Sequence, residues 1–210
     1  MKRLLSILPV FLLLAACVDT TGISAATSKE PRGNLNSSVI VTEYGDFQCP
    51  ACIVANDLIT KPLFQKYASR VRFEFKQFPL LTIHEFSMPL AQASECAADQ
   101  GKFWEFVDMA YGEQLKMGKA NPPQTFQASD IAVWATNLGL NKDLFDRCTS
   151  SGIKQKAIMA DFDAGRSIGI NGTPTFLVND QKIEKNDLAL ISAALDTALK
   201  TAPAKAPVKL

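Results

Sequence analysis

The sequence has only one histidine and almost no net charge. Its 22 Lys and Arg residues are balanced by 21 Asp and Glu residues, which leaves +1 over 210 residues. Without a broad basic surface, a nucleic acid is not expected as a partner, and one histidine argues against a His-rich metal site or a hydrolytic zinc centre. Hydrophobic residues make up 47% and charged residues 20%, which is typical of a soluble globular protein and excludes disorder of the whole chain. The length predicts one domain, or one domain with an insertion.

The apolar run at the N-terminus is too short to serve as a stable membrane anchor. It extends from Leu4 to Ala16, follows Lys2 and Arg3, and ends in small residues. A positive start, a short apolar stretch and small residues are the signs of a secretory signal peptide. We therefore predict that residues 1–16 are a signal peptide and that the mature protein lies outside the cytoplasm, where disulfides persist.

The residue after this stretch is a cysteine. Leu14-Ala15-Ala16-Cys17 resembles the lipobox of bacterial lipoproteins, in which the cysteine becomes the lipid-modified N-terminus. The resemblance implies a lipid on Cys17 and attachment to a bacterial membrane, with the protein facing the periplasm or the cell surface. Ordinary cleavage after Ala26 is the alternative.

Two segments are predicted to be flexible. Residues 17–37 are rich in Thr, Ser, Ala, Gly and Asn and show no apolar period, so we expect a lipid-anchored flexible tether. Residues 201–210 alternate Ala, Pro and Lys and are predicted to be a disordered tail. The folded domain is then residues 38–200.

Within these limits the pattern predicts an α/β domain. β-Branched or alternating apolar residues predict strands over 39–44, 71–78 and 175–178, with a hairpin turn at Asn179-Asp180. A helix is predicted from Pro50. The stretch between the second and third strands is predicted to be mainly helical.

The chemistry is predicted at Cys49-Pro50-Ala51-Cys52, where a strand ends and a helix begins. A thiol at a helix N-terminus faces unpaired backbone N–H groups and the positive end of the helix dipole. This lowers its pKa and populates the thiolate, which is the reactive species. Cys49 is therefore predicted to be the attacking sulfur, and Cys52 the resolving sulfur. The redox-active Cys49–Cys52 disulfide takes the place of a cofactor, and no metal is predicted.

Zinc binding is the weaker interpretation of the same pair, because half of a zinc site also has this spacing. Cys96 and Cys148 are available as further ligands. They do not form a second pair of the required spacing, and no histidine lies near them in the sequence.

Glu43, six residues before Cys49 on the preceding strand, is a candidate proton acceptor. The strand pleat can place it beneath the helix start, beside Cys52, where burial raises the pKa of a carboxyl group enough to take the proton that Cys52 loses. Lys76, on the neighbouring strand, is its expected partner. The alternative is that Glu43 faces solvent, because alternation alone does not fix which face is buried.

Gly172-Thr173-Pro174-Thr175 leads into the third strand. A proline just before a strand is a candidate for a cis peptide bond. Such a bend would leave the backbone of Thr173 free to pair with an extended peptide.

Together these residues resemble the DsbA-like branch of the thioredoxin superfamily. The matching segments are 43–52 (EYGDFQCPAC), 91–104 (AQASECAADQGKFW) and 172–176 (GTPTF). The resemblance covers about 38–200 and implies a thioredoxin fold with an inserted α-helical domain over about 81–164. It also implies thiol–disulfide exchange with secreted proteins.

The resemblance implies roles for single residues. It makes Cys49 the nucleophile, Cys52 the resolving thiol, Glu43 the buried acid and Pro174 the cis-proline beside the active sulfur. The expected substrate-binding residues are Pro50, Ala51 and Thr173.

Cys96 and Cys148 both fall in the insert, and some members of the branch carry a disulfide placed similarly. We expect these two cysteines to form a structural disulfide, which the oxidising location favours. Two buried free thiols are the alternative.

Ala51 departs from the family pattern, because the best-known periplasmic oxidases carry a histidine there. An imidazole adds hydrogen bonding and positive charge to the thiolate, and alanine supplies neither. We therefore predict a protein less oxidising than DsbA, whose cysteine pKa is about 3.5 and whose reduction potential is about −120 mV. His84, the only histidine, is expected at the surface or as a helix cap. A position near the active site is the alternative.

These features predict a thiol:disulfide oxidoreductase that passes its disulfide to reduced secreted or periplasmic proteins. A membrane redox partner of the DsbB or vitamin-K-epoxide-reductase-like (VKOR-like) type would reoxidise it, and we expect a monomer. The same site acting as a thiol reductase or isomerase is the closest alternative. A Cu(I)-binding metallochaperone is the alternative from another class.

Overall fold

A computed structural model describes residues 19–202, which form a central five-stranded sheet flanked by helices. The strand order is β1-β3-β2-β4-β5; β2 and β3 are parallel, and the other neighbours are antiparallel. The strands are β1 (Arg32–Gly33), β2 (Ile40–Gly45), β3 (Arg72–Gln77), β4 (Thr175–Val178) and β5 (Gln181–Lys182). The predicted signal peptide, Cys17 and most of the predicted tail lie outside the described residues.

A hairpin turn joins β4 to β5. Asn179 and Asp180 have φ angles of +46° and +66°, as a two-residue type I′ turn requires. The turn predicted from these two residues is therefore confirmed.

The helix that follows β2 is interrupted by a wider turn. A π-helical turn over Asn56–Thr60 separates α1 (Pro50–Ala55) from α2 (Lys61–Tyr67). Pro62 follows this turn, and it cannot donate the backbone hydrogen bond that a regular helix needs at that position. The remaining helices are α3 (Ser87–Ala98), α4 (Phe103–Lys119), α5 (Ala128–Asn137), α6 (Lys142–Ser151), α7 (Gln155–Ser167) and α8 (Leu188–Thr201).

The two faces of the sheet are covered by different helices. On one face, Val41 and Phe176 pack in a buried cluster with Leu63 of α2 and Ile191 of α8. On the other face, Leu177 lies in a second cluster, which Phe162 of α7 covers. The residues of β3 are buried at every second position, because successive side chains point to opposite faces and one face is covered more completely than the other at this strand.

Helices α3 to α6 lie between β3 and β4 in the sequence and form the inserted helical part. Their shared core includes Leu90, Phe106 and Phe145. Cys96 of α3 and Cys148 of α6 are joined by a disulfide, with their Cα atoms 5.8 Å apart. The fold is thus the thioredoxin fold with a helical insertion that the sequence predicted.

The segment before β2 differs from the predicted flexible tether. The Nζ of Lys29 lies 2.7 Å from Glu95 on α3 and 2.8 Å from Asp161 on α7. The guanidinium of Arg32 stacks between the rings of Phe64 and Trp104, at 4.3 and 4.1 Å from their centroids. The prediction was wrong over this part because the partners lie far away in the sequence, where no local periodicity reports them.

A second buried ion pair holds the same segment. Lys154 is fully buried, and its Nζ lies 2.6 Å from Asp99 and donates to the carbonyl of Ala26 at 2.7 Å. Further toward the N-terminus, Arg147 donates to the carbonyls of Asp19 and Thr21. The described part of the predicted tether is therefore packed along the helices. Across residues 19–202, no helix combines the length and apolarity needed to cross a bilayer.

Candidate active site

Cys49 occupies the N-cap of α1, at the point where the loop after β2 turns into the helix. Pro50 takes the first helical position, which its fixed φ angle suits. Cys49 is 6% exposed and Cys52 is fully buried, and both are free thiols. The Sγ of Cys49 lies 3.4 Å from the carbonyl oxygen of Thr173, so the strand-entry loop and the helix start meet at this sulfur.

The two thiols have opposite acidities. A hydrogen bond from Cys52 lowers the pKa of Cys49 to about 5, with further help from Thr173 and from the backbone N–H groups of Cys52 and Ala51. Burial raises the pKa of Cys52 well above its ordinary value, and its hydrogen bond to Cys49 adds to the effect. At neutral pH the pair is therefore a thiolate on Cys49 beside a protonated Cys52.

The peptide bond between Thr173 and Pro174 is cis. The Nδ2 of Asn186 donates a 2.7 Å hydrogen bond to the carbonyl of Pro174. The sequence did not predict this contact. Asn186 is an exposed asparagine just before a helix, and its local sequence does not indicate a bond to a residue twelve positions earlier.

A largely apolar groove of about 650 Å³ lies beside the cysteine pair. Its lining includes Pro50, Ala51 and Pro174, together with Val54 and Leu58, which are 45% and 61% exposed. Two of the three predicted substrate-binding residues, Pro50 and Ala51, thus face one groove, while Thr173 contacts the sulfur itself.

Glu43 lies opposite Phe75 in the sheet and is buried, with 5% of the residue exposed. Thr60, in the π-helical turn, donates a 2.8 Å hydrogen bond to its Oε2, and its Oε1 has no partner among the described residues. Burial raises the pKa of Glu43 to about 7, against smaller opposing effects from Thr60 and the charge of Arg32.

Lys76 is not the partner of Glu43, which corrects the prediction. In the β2–β3 register Glu43 lies opposite Phe75, and Lys76 lies opposite Tyr44. Adjacent residues on a strand face opposite sides, so Lys76 extends from the other face and pairs with Asp161 at 3.2 Å. Thr60 was missed because its role depends on the π-helical turn.

His84 is also placed differently from the prediction. Its side chain is only 14% exposed, and its Nδ1 lies 2.7 Å from the Oδ2 of Asp46. Asp46 is three residues before Cys49. The contact between them was not predicted because the two residues are 38 positions apart. Within residues 19–202 no cluster of three or more His, Cys, Asp or Glu side chains is arranged to hold a metal ion.

Comparison with known proteins adds sequence and fold relatives. The family model described as Thioredoxin matches residues 27–197. A Na(+)/H(+) antiporter, NhaA 3 of Salinispora tropica, is 31% identical over 182 residues, which are 84% of this chain and 26% of the antiporter. The chain thus spans about a quarter of the length of the curated relatives it matches.

Solved structures share the whole arrangement of sheet and insert. BdbD from Bacillus subtilis superposes with a TM-score of 0.70 at 23% identity, covering 84% of this chain and 99% of BdbD. The thiol-disulfide exchange protein alpha-DsbA2 from Wolbachia pipientis superposes with a TM-score of 0.65 at 22% identity, covering 80% of this chain and 85% of that protein. The fold is therefore the DsbA-like form.

Proposed function

This chain belongs to the thioredoxin family, and we propose that it is a thiol–disulfide oxidoreductase that introduces disulfides into proteins outside the cytoplasm. The observation that carries the proposal is the unequal pair at the start of α1. Cys49 has a lowered pKa and contacts the Thr173 carbonyl, while Cys52 is buried with a raised pKa. A thiolate that is stable when released favours the reduced form of the protein, and hence oxidation of the substrate.

The reaction begins from the Cys49–Cys52 disulfide. A substrate thiolate attacks the Sγ of Cys49, the Cys49–Cys52 bond breaks, and Cys52 leaves with the electron pair and takes up a proton. A second substrate thiolate then attacks the substrate sulfur of the mixed disulfide and releases Cys49 as a thiolate. The substrate loses two electrons and two protons, of which one proton stays on Cys52 and the other enters solvent.

Glu43 is the proposed source of the proton that Cys52 takes up. A carboxyl group with a pKa near 7 exchanges a proton readily at neutral pH, and its burial keeps the exchange inside the protein. Thr173 and Pro174 border the sulfur, and the apolar groove beside them accepts the apolar side chains that an incompletely folded substrate exposes.

The proposal also includes the setting of the reaction. The predicted N-terminal signal peptide and the lipobox-like sequence at Cys17 support an extracytoplasmic protein that is lipid-anchored to a bacterial membrane and faces the periplasm or the cell surface. Electrons taken from substrates then pass to a membrane redox partner of the DsbB or VKOR-like type. The protein acts as a monomer in this scheme.

Two assays on one preparation test the direction of the chemistry. The first is oxidative refolding of reduced ribonuclease by the oxidised protein, and the second is insulin reduction with dithiothreitol. We expect strong oxidation and weak insulin reduction, both lost in Cys49→Ala and retained in Glu105→Gln, a control on the exposed side of α4.

A Cys52→Ala variant gives an independent readout. When this variant is mixed with insulin, the Cys49 thiolate attacks an insulin disulfide and displaces the other sulfur as a thiolate. Without the resolving thiol, the mixed disulfide on Cys49 is expected to persist and to be visible as a covalent complex on a non-reducing gel. Strong insulin reduction with poor ribonuclease oxidation would replace the proposal with a reductase. Inactivity in both assays, without a covalent complex, would overturn thiol exchange at this site.

A further inference from the structure

Asp46 lies between the end of β2 and Cys49, and its side chain is fully buried. Its Oδ1 accepts a 2.8 Å hydrogen bond from the backbone N–H of Gln48, and its Oδ2 accepts one of 2.8 Å from the N–H of Leu80. The same Oδ2 lies 2.7 Å from the Nδ1 of His84. The carbonyl of Asp46 accepts the N–H of Cys49 at 3.1 Å. Asp46 thus holds the loop before Cys49 in place through four hydrogen bonds.

The loop that Asp46 holds is tied at a further point. The side-chain oxygen of Gln48 accepts a 2.6 Å hydrogen bond from the N–H of Phe86. The segment 46–48 therefore contacts the segment 80–86 through Leu80, His84 and Phe86. Since segment 80–86 joins β3 to α3, these bonds connect the start of the helical insert to the helix start that carries Cys49.

The carboxylate of Asp46 and both active-site thiols act on the same buried hydroxyl group, that of Tyr111. Tyr111 of α4 is buried, its hydroxyl has no partner among the described residues, and it stacks on Phe47 with ring centroids 5.1 Å apart. Burial is the largest cause of the raised pKa of Tyr111, and the nearby negative charges raise it further. These charges are those of Cys52, Glu43, Asp46 and Cys49. These groups therefore act on one enclosed region.

A buried carboxylate three residues before the nucleophile, bonded to the backbone of the same loop, has two opposing effects. Its hydrogen bonds hold the loop that places Cys49 at the helix N-terminus. Its negative charge, however, disfavours a second negative charge on the Cys49 sulfur. A hydrogen-bond donor on the carboxylate reduces this cost by withdrawing charge from the oxygen that it contacts.

We propose that Asp46 and His84 form a positioning pair for the Cys49 thiolate, in which Asp46 fixes the loop and His84 offsets the charge of Asp46. The proposal rests on the proposed thiol exchange at Cys49. It adds a role for the only histidine of the chain, outside the Cys-x-x-Cys motif. Replacing the histidine and neutralising the carboxylate should then have opposite consequences for the thiolate.

The test is a titration of the Cys49 thiolate by its absorbance near 240 nm in the reduced protein. His84→Ala is expected to raise the pKa of Cys49 by about 1, and Asp46→Asn to lower it, because a nearby like charge acts with roughly this strength. His84→Asn, which keeps a donor near the Oδ2 of Asp46, should return the pKa toward the wild-type value. Glu85→Gln, an exposed neighbour, is the control and should leave it unchanged.

The signs of the two changes decide the proposal. No change in the pKa of Cys49, or changes of the same sign in His84→Ala and Asp46→Asn, would overturn it and leave the pair a purely structural contact. Urea denaturation of each variant separates loss of folding from the effect on the thiolate. Asp46→Asn carries the test if His84→Ala does not fold, because a pKa of Cys49 that is unchanged or raised in Asp46→Asn would overturn the proposal. Because this titration needs no substrate, its failure is distinguishable from failure of the oxidation assays.

Discussion

Thr60 donates a 2.8 Å hydrogen bond to the carboxylate of Glu43 in the interior of the protein, where each residue is 5% exposed. This bond satisfies one carboxylate oxygen and leaves the other without a partner among the described residues. A cavity of about 10 Å³ adjoins both side chains, which is close to the space of a single water. The charged form of Glu43 is therefore poorly compensated, and its pKa rises to about 7.

The raised pKa predicts a stability that falls with pH. Between the ordinary pKa of 4.5 and about 7, the folded protein holds a proton on Glu43 that the unfolded chain has lost. The free energy of unfolding therefore decreases as pH rises through this window, by about 3 kcal/mol in total from 1.36 kcal/mol per pKa unit. Glu43→Gln cannot ionise and should lose this part of the pH dependence.

Urea denaturation of the oxidised protein at pH 4.5, 6 and 8 measures the effect, because no active-site thiol then titrates. Glu105→Gln, an exposed carboxyl on α4, serves as the matched control. Parallel stability curves for wild type and Glu43→Gln across this range would contradict the prediction.

The register of β2 and β3 shows how far the sequence leads at this site. Alternation correctly predicts that Phe73 and Phe75 share one face, yet it leaves open whether Glu43 joins them or faces solvent. The register settles this, since Phe75 lies opposite Glu43 and Lys76 lies opposite Tyr44. The position of Cys49 and Cys52 at the start of α1 was predictable, because a strand-to-helix boundary is a local feature of the sequence.

Contacts between distant segments account for what the sequence did not predict. Lys29 meets Glu95 and Asp161, which are 66 and 132 positions away. Its segment is polar and aperiodic, which is also the pattern of a flexible linker. Only tertiary packing distinguishes the two, just as only packing brings His84 to Asp46.

Ala51 is exposed and immediately follows the first helical residue. It contributes a backbone N–H to the Cys49 thiolate but no side-chain charge. We expect a reduction potential more negative than the value of about −120 mV found for DsbA. Ala51→His should lower the pKa of Cys49 and raise the potential by about 30 mV, which corresponds to a tenfold change in the exchange equilibrium.

Equilibration in glutathione buffers gives both potentials. Ala51→Asn adds a polar side chain without an ionisable ring and should stay near the wild-type value. A wild-type potential as high as that of DsbA, or a potential unchanged in Ala51→His, would refute the argument from residue 51.

The disulfide between Cys96 and Cys148 closes a loop with a sequence separation of 52 and joins α3 to α6. A crosslink over a loop of this size restricts the unfolded chain and contributes roughly 4 kcal/mol in the entropy model. Cys96→Ala/Cys148→Ala is therefore expected to reduce the free energy of unfolding by about this amount, as measured in urea without reductant. The active-site thiols should keep their reactivity, because neither mutated side chain is hydrogen-bonded to Cys49 or Cys52.

Peptide mapping of the unreduced protein supplies the direct check on this crosslink. Digestion should yield one linked peptide pair containing Cys96 and Cys148. Recovery of both cysteines as free thiols in unreduced protein would exclude the bond.

Lys29 lies between two carboxylates, and its side chain is 8% exposed beside a fully buried Glu95. Lys29→Met removes the cation and leaves Glu95 and Asp161 facing each other without it. Breaking a buried ion pair from one side costs about 3–5 kcal/mol, so the free energy of unfolding of the variant should fall by about this amount in urea at pH 7.

Lys116→Met, the control, breaks an exposed pair with Glu113 and should cost less than about 1 kcal/mol. Limited proteolysis should then cleave residues 26–33 in Lys29→Met and spare them in Lys116→Met. Equal, small losses in the two variants would show that this segment behaves as the flexible tether first predicted from its composition.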